Sequence, residues 1–302
     1  MIETIEITSR EQWLAARKKD VTASIAGALL GVHDYTTAFE IWGSKTGRIK
    51  EDQEDTPAMK RGRLLEPVAF QLLAEKHPEW TLTPPGIYLR DTDIRMGATP
   101  DLYVECPQRG PGVIQVKTTA DLIFKQKWQD PSTKEIVLPL WIAVQTMIET
   151  ELSGRGWGEV ALMVVGMGLD LYEVEVPLHA SVMKRVHEAI KAFWELTDSG
   201  QPMPPDYARD GANIARVFDQ GNEPPIDLSG DNRFAELVDQ RSDLKEAEKA
   251  AKAKLDEVEA EIKFKLGNSA IAICGPRTVT WKLQKRAGYS VKPTEFRVLK
   301  VA

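Results

Sequence analysis

The period of the apolar positions changes several times along this chain, and each change marks an element. Two short apolar runs, 102–104 and 113–116, flank Cys106-Pro107-Gln108-Arg109-Gly110-Pro111-Gly112. That connector is almost wholly turn formers, so the pair reads as a β-hairpin. With the loop centred near Arg109, Asp101 falls opposite Lys117 and Tyr103 opposite Gln115. Side chains alternate across a strand. Asp101, Gln115 and Lys117 therefore share one face, while Leu102, Val104, Ile114 and Val116 point into a core.

Helical spacing governs most of the remainder. Residues 12–19 form a first helix, and Thr22 or Ser24 can cap a short apolar helix after it. A helix over 38–46 stops at Gly47, and a charged connector follows over 50–56. On the next helix Leu65, Val68, Ala69, Leu72 and Leu73 make a buried stripe. Glu66 lies at the edge of that stripe, where a carboxylate wants a partner. A strand over 81–89 leads into the hairpin. Beyond it a helix runs from Glu135 through Pro139, with Gln145 and Glu149 four apart on one face. Strands 159–165 and 169–176 and a helix over 178–196 complete a core with helices before and after a strand-rich middle, α/β or α+β with a mixed sheet.

After Pro202-Met203-Pro204-Pro205 the character changes, giving a core over 1–210, a linker over 211–229 and an extension over 230–302. The extension opens with a long charged helix, 233–266. Phe234, Leu237, Leu244, Ala251, Leu255, Val258 and Ile262 fall on a heptad seam interrupted by Arg241 and Glu248, which asks for a partner helix or another chain. A small β-hairpin around Gly275-Pro276 follows.

Charge sharpens this division. The chain is −6 overall, but residues 268–302 carry seven Lys/Arg against the single acid Glu295, a local +6 against −12 for the rest. A basic tail on an acidic body suits a nucleic acid or an acidic partner. No apolar run approaches a bilayer span, and the acidic N-terminus does not read as a signal peptide. Cys106 and Cys274 lack metal-ligand spacing, which favours a reducing cytoplasm and excludes a four-cysteine iron–sulfur site.

Several motifs stand in a fixed order: Arg17 with Val21-Thr22-Ala23-Ser24 and Leu30-Gly31; Gly62-Arg63-Leu64-Leu65-Glu66-Pro67; Thr99-Pro100-Asp101; Gln115-Val116-Lys117-Thr118-Thr119; and Pro139 to Gln145. Together, over about residues 10–205, they resemble the YqaJ-type viral recombinases, relatives of phage lambda exonuclease in the PD-(D/E)XK nuclease superfamily. The resemblance implies a restriction-endonuclease-like core. It also implies an Mg²⁺-dependent 5′→3′ exonuclease, with Mn²⁺ able to substitute, acting on double-stranded DNA ends. The 3′ single-stranded tails would pass to a single-strand annealing protein, in the cytoplasm of a bacterial host of the phage or prophage. Homo-oligomerisation, by the family's example a ring of three, belongs to the same picture; a membrane does not.

Residue by residue, the resemblance makes Asp101 the central metal ligand and gives Gln115 the second ligand position. Val116 contributes its carbonyl, and Glu66 stands near a second metal or its water. Lys117 becomes the catalytic lysine, and Gln145 borders the site. Arg17 and Ser24 occupy positions that hold a 5′-terminal phosphate. One departure stands out: the family has Glu where this chain has Gln115. An amide offers a neutral oxygen, so affinity for Mg²⁺ should fall. Three accounts follow: an engineered substitution that traps substrate, a natural variant that still works, or a catalytically silent DNA-binding or scaffold protein that keeps the fold.

Overall fold

The computed structural model describes residues 1–50, 56–288, 293 and 297–301. The charged connector at 51–55 and part of the basic tail, Lys292 and Glu295 included, lie outside the described residues. The chain packs as two units, Met1–Phe218 and Asp219–Ala302.

The first unit begins with β1 (Ile2–Glu6) and α1 (Arg10–Lys18), whose Ser9 cap accepts from Gln12 N. Then come β2 (Val21–Thr22), α2 (Ala23–Ala26), α3 (Ala38–Lys45) and α4 (Pro57–Lys76). The strands β3 (Thr81–Thr83), β4 (Ile87–Asp91), β5 (Met96–Ala98), β6 (Leu102–Cys106) and β7 (Gly110–Ala120) follow. After α5 (Asp121–Lys127) and α6 (Leu140–Ser153) lie β8 (Trp157–Val165), β9 (Leu169–Val176), α7 (Ala180–Asp198) and α8 (Gly211–Val217).

The larger sheet has the order β3-β6-β7-β8-β9 and is mixed: β7 runs parallel to β8, and the other neighbours are antiparallel. The β7–β8 crossover carries α5 and α6, the long connection that a parallel pair requires. Leu102, Val104, Ile114, Val116, Ala161 and Met163 pack with Ala69 and Leu73 of α4. The opposite face packs Val160, Leu162 and Val164 with Ile142 and Ile148 of α6 and with α7. Covered on both sides, β8 is apolar along most of its length, as buried parallel strands are. This is the α/β core with a central mixed sheet flanked by helices that the sequence predicts. A smaller sheet, β1-β4-β5-β2, stands beside it.

Several local expectations change. The hairpin closes over 107–109, with Gly110 at φ 72, so Tyr103 pairs with Val113 and Leu102 with Ile114. Continued by one residue, that register sets Asp101 level with Gln115, not Lys117. The slip is by two residues, so the face assignment survives, because the side-chain period is also two. The single strand expected over 81–89 breaks at Pro84-Pro85-Gly86, with Gly86 at φ 62, and its halves join different sheets. The helix expected from Glu135 starts at Leu140 instead. Lys134 is left-handed (φ 63), Ile136 bridges Gln129, and Pro139 stands at the N-cap. The expected linker at 211 is instead α8, whose Val217 is buried in the core. The N-terminal strand β1, absent from the sequence reading, is stitched to β4.

The second unit holds α9 (Asn232–Leu266), capped by Asp231, and the hairpin β10 (Ile271–Cys274) and β11 (Arg277–Thr280). Phe234, Leu237, Leu244, Leu255, Val258 and Ile262 of its seam are exposed. Among the described residues no helix is long and apolar enough to cross a membrane.

Candidate active site

Asp101 follows Pro100 at the mouth of β6, and its Oδ2 accepts the backbone N–H of Val116 at 2.9 Å. That bond fixes the carboxylate against the centre of β7. From the same strand, Lys117 Nζ donates to Gln145 Oε1 of α6 at 2.9 Å. Gln145 Nε2 donates both to Gln115 Oε1 at 2.8 Å and to Glu149 Oε1 at 2.9 Å. Gln115 Nε2 donates to Asp101 Oδ2 and, at 3.3 Å, to the Val116 carbonyl. The direction of this chain is set at its ends, because an ammonium only donates and a carboxylate only accepts. Both amides are thereby oriented: Gln115 turns nitrogen, not oxygen, towards Asp101.

The electrostatics are those of crowded negative charge. Burial and then the Asp101 charge push the Glu66 carboxyl of α4 up to about 7, with Lys117 opposing. Burial raises Asp101 as well, countered by Lys117 and by the Val116 and Gln115 hydrogen bonds. Glu149 is buried, and burial followed by the Asp101 charge holds it well above the usual carboxylate range. Burial pushes Lys117 down, while Asp101, Glu149 and Glu66 pull it up.

The donors suit a hard cation. Asp101, Glu66 and the Val116 carbonyl offer oxygens, the ligand type of Mg²⁺ and Mn²⁺, and the Gln115 amide holds a further oxygen that now faces Gln145. Among the described residues Glu149 Oε2 is buried with no hydrogen-bond partner, and the Asp101 charge pushes both Glu149 and Glu66 up; a cation beside Asp101 would offset that charge. Among the described residues no three His, Cys, Asp or Glu side chains gather as a metal cluster. Amide and carbonyl oxygens would thus have to complete the protein's share.

The structure also brings Arg17 to Ser24, guanidinium to Oγ at 3.2 Å, with Arg17 stacked 4.3 Å over Trp13. Trp13 Nε1 donates to Thr99 Oγ1 at 3.0 Å, tying α1 to the segment that carries Asp101. His33 is structural here. Its Nδ1 accepts from Tyr35 and Thr36 N–H at 3.1 Å each, so Nε2 keeps the proton and donates to the Ser24 carbonyl at 3.1 Å. Sequence reasoning missed Trp141, whose ring lies 5.5 Å from Lys117 Nζ and 4.7 Å from His33. The signal was present: Trp141, Gln145 and Glu149 recur every four residues on α6.

Residues 12–153 match the sequence profile of the YqaJ-like viral recombinase domain, which bears out the resemblance carried by the five motifs. The chain is 25% identical over 293 residues to the protein YqaJ of Bacillus subtilis (strain 168), covering 91% of this chain and 83% of that one. Among solved structures, the alkaline exonuclease LHK-Exo of Laribacter hongkongensis superposes with a TM-score of 0.47 at 22% identity, over 68% of this chain and all of that one. A putative exonuclease from Eubacterium rectale gives 0.41 at 11% identity, over 75% and 98%.

Proposed function

We propose that this chain is a divalent-cation-dependent exonuclease of double-stranded DNA ends, degrading 5′→3′ and leaving 3′ single-stranded tails. The observation that carries the reading is the bonded path Lys117–Gln145–Gln115–Asp101, which sets an ammonium and a carboxylate at the centre of a YqaJ-like domain.

Asp101, Val116 through its carbonyl, and Glu66 would hold Mg²⁺ or Mn²⁺. Gln115 would join them only with its amide turned over to present Oε1, in exchange for its present bonds to Asp101 and Gln145. The bound cation would acidify a water and offset charge on the phosphate and the leaving oxygen. Lys117 Nζ, a compact point charge, orients the attacking water and exchanges a proton with it. Gln145 keeps that ammonium aimed into the site. Arg17 and Ser24 receive the 5′-terminal phosphate, since a guanidinium and a hydroxyl together match its oxygens. The tails produced are substrate for a single-strand annealing protein, and self-association into a ring of three would let the chain encircle its duplex, in a bacterial cytoplasm. These partner readings rest on the family alone.

A second reading has one observation in its favour. Gln115 donates an amide hydrogen to Asp101, which occupies that carboxylate oxygen and suits a domain that grips DNA without cutting it. Linear duplex labelled at either its 5′ or its 3′ end separates the two. The nuclease reading expects early release of the 5′ label in Mg²⁺ and none in chelator. Bound but intact DNA in both conditions supports the silent reading and overturns the first.

A further inference from the structure

Glu149 is the residue of this region that the proposed chemistry leaves unused. It stands on α6, one helical turn beyond Gln145, and is 1% exposed. One carboxylate oxygen accepts from Gln145; the other is buried with no hydrogen-bond partner among the described residues. If its task were only to hold the Gln145 amide, a glutamine would serve as well. Its carbonyl oxygen would accept the same bond, and no charge would have to leave water. Burial and the Asp101 charge hold this carboxyl well above the usual carboxylate range, so an acid here takes up its charge only where a cation offsets them.

Strand position 115 gives that charge a use. Gln115 is neutral where the site would use a negative charge, and it is linked to Glu149 through one shared donor, Gln145 Nε2. We propose that Glu149 is a positioning residue of the cation site: from the helix behind β7 it supplies the negative charge that Gln115 lacks, acting through Gln145. The charge stands on the helix instead of the strand, and the bond from Gln145 to Glu149 keeps Gln145 in place when the Gln115 amide turns. This rests on the cation-dependent reading above and deepens it.

The test is calorimetric titration of the chelator-treated full chain with Mn²⁺, beside thermal unfolding without metal. Glu149→Gln should bind Mn²⁺ at least about tenfold more weakly, the usual scale for a group behind the ligands. Its metal-free melting temperature should stay close to the parent's, since the protonated acid and the amide are both neutral and nearly the same shape. The double variant Gln115→Glu/Glu149→Gln, with the charge returned to the strand, should recover most of the lost affinity. Parental affinity in Glu149→Gln, or no recovery in the double variant, overturns the role of Glu149 alone. A parent chain that binds no Mn²⁺ overturns both this role and the metal-dependent reading beneath it.

Discussion

Lys117 Nζ lies 2.9 Å from Gln145 Oε1, so the lysine of β7 is aimed by an amide from α6. Removing the ammonium should therefore abolish turnover without dismantling the fold around it. Lys117→Ala is expected to lose at least about 10²-fold in single-turnover degradation, the range of positioned proton-transfer groups. DNA affinity, read by fluorescence anisotropy, should stay within a few-fold of the parent's, and undiminished degradation would remove Lys117 from the chemistry.

Gln115 is the next lever. Gln115→Glu adds a charge beside Asp101 and should raise Mg²⁺-dependent degradation by at least about tenfold, about 1.4 kcal/mol of barrier. The comparison is of initial rates at subsaturating Mg²⁺. Equal rates for the two forms would reject position 115 as a ligand.

The proton on Glu66 sets a pH dependence with a definite sign. Folded, this carboxyl titrates at about 7, against an ordinary 4.5, through burial and the Asp101 charge. Between those values the native state holds more protons than the unfolded one, so metal-free stability falls as pH rises from 4.5 through 7. Glu159, also pushed up to about 7 by burial and Glu173, acts with the same sign. Glu66→Gln isolates the first contribution. Melting temperatures across this window should decline less steeply in the variant, and identical slopes would show that Glu66 carries no such shift.

Most of the architecture was legible because its signals are local. Turn formers over 106–112 announce the β6–β7 hairpin, and the stripe containing Ala69 and Leu73 announces α4. The register was misjudged because nothing in the composition says which turn residue becomes left-handed; Gly110 does. The site survived that error, since a slip of two residues keeps Asp101 and Gln115 on one face. The start of α6 was misplaced because apolar spacing continues through Leu138, although Pro139 stands where the helix begins. The unmet oxygen of Glu149 was out of reach. It depends on α6 crossing β7, through contacts between residues 28 and 30 positions apart in the chain, and no periodicity reports it. The supporting role of His33 depends likewise on a chain reversal that brings it back to Ser24.

Arg17 and Ser24, 3.2 Å apart, predict how the chain distinguishes DNA ends. Arg17→Ala should lose roughly tenfold in its preference for 5′-phosphorylated over 5′-hydroxyl duplex, the scale of one charge-assisted hydrogen bond. Rates on the hydroxyl substrate should change little. An undiminished preference would place the phosphate elsewhere.

The central claim is that a divalent cation is held between Asp101 and the middle of β7. Anomalous diffraction from crystals soaked in Mn²⁺ tests it most directly. The account predicts an ion about 2.1 Å from an Asp101 oxygen and from the Val116 carbonyl, the usual reach of a small hard cation, with the Gln115 amide turned to offer Oε1. An Mn²⁺ peak elsewhere, with the Gln115 nitrogen still on Asp101, would contradict it.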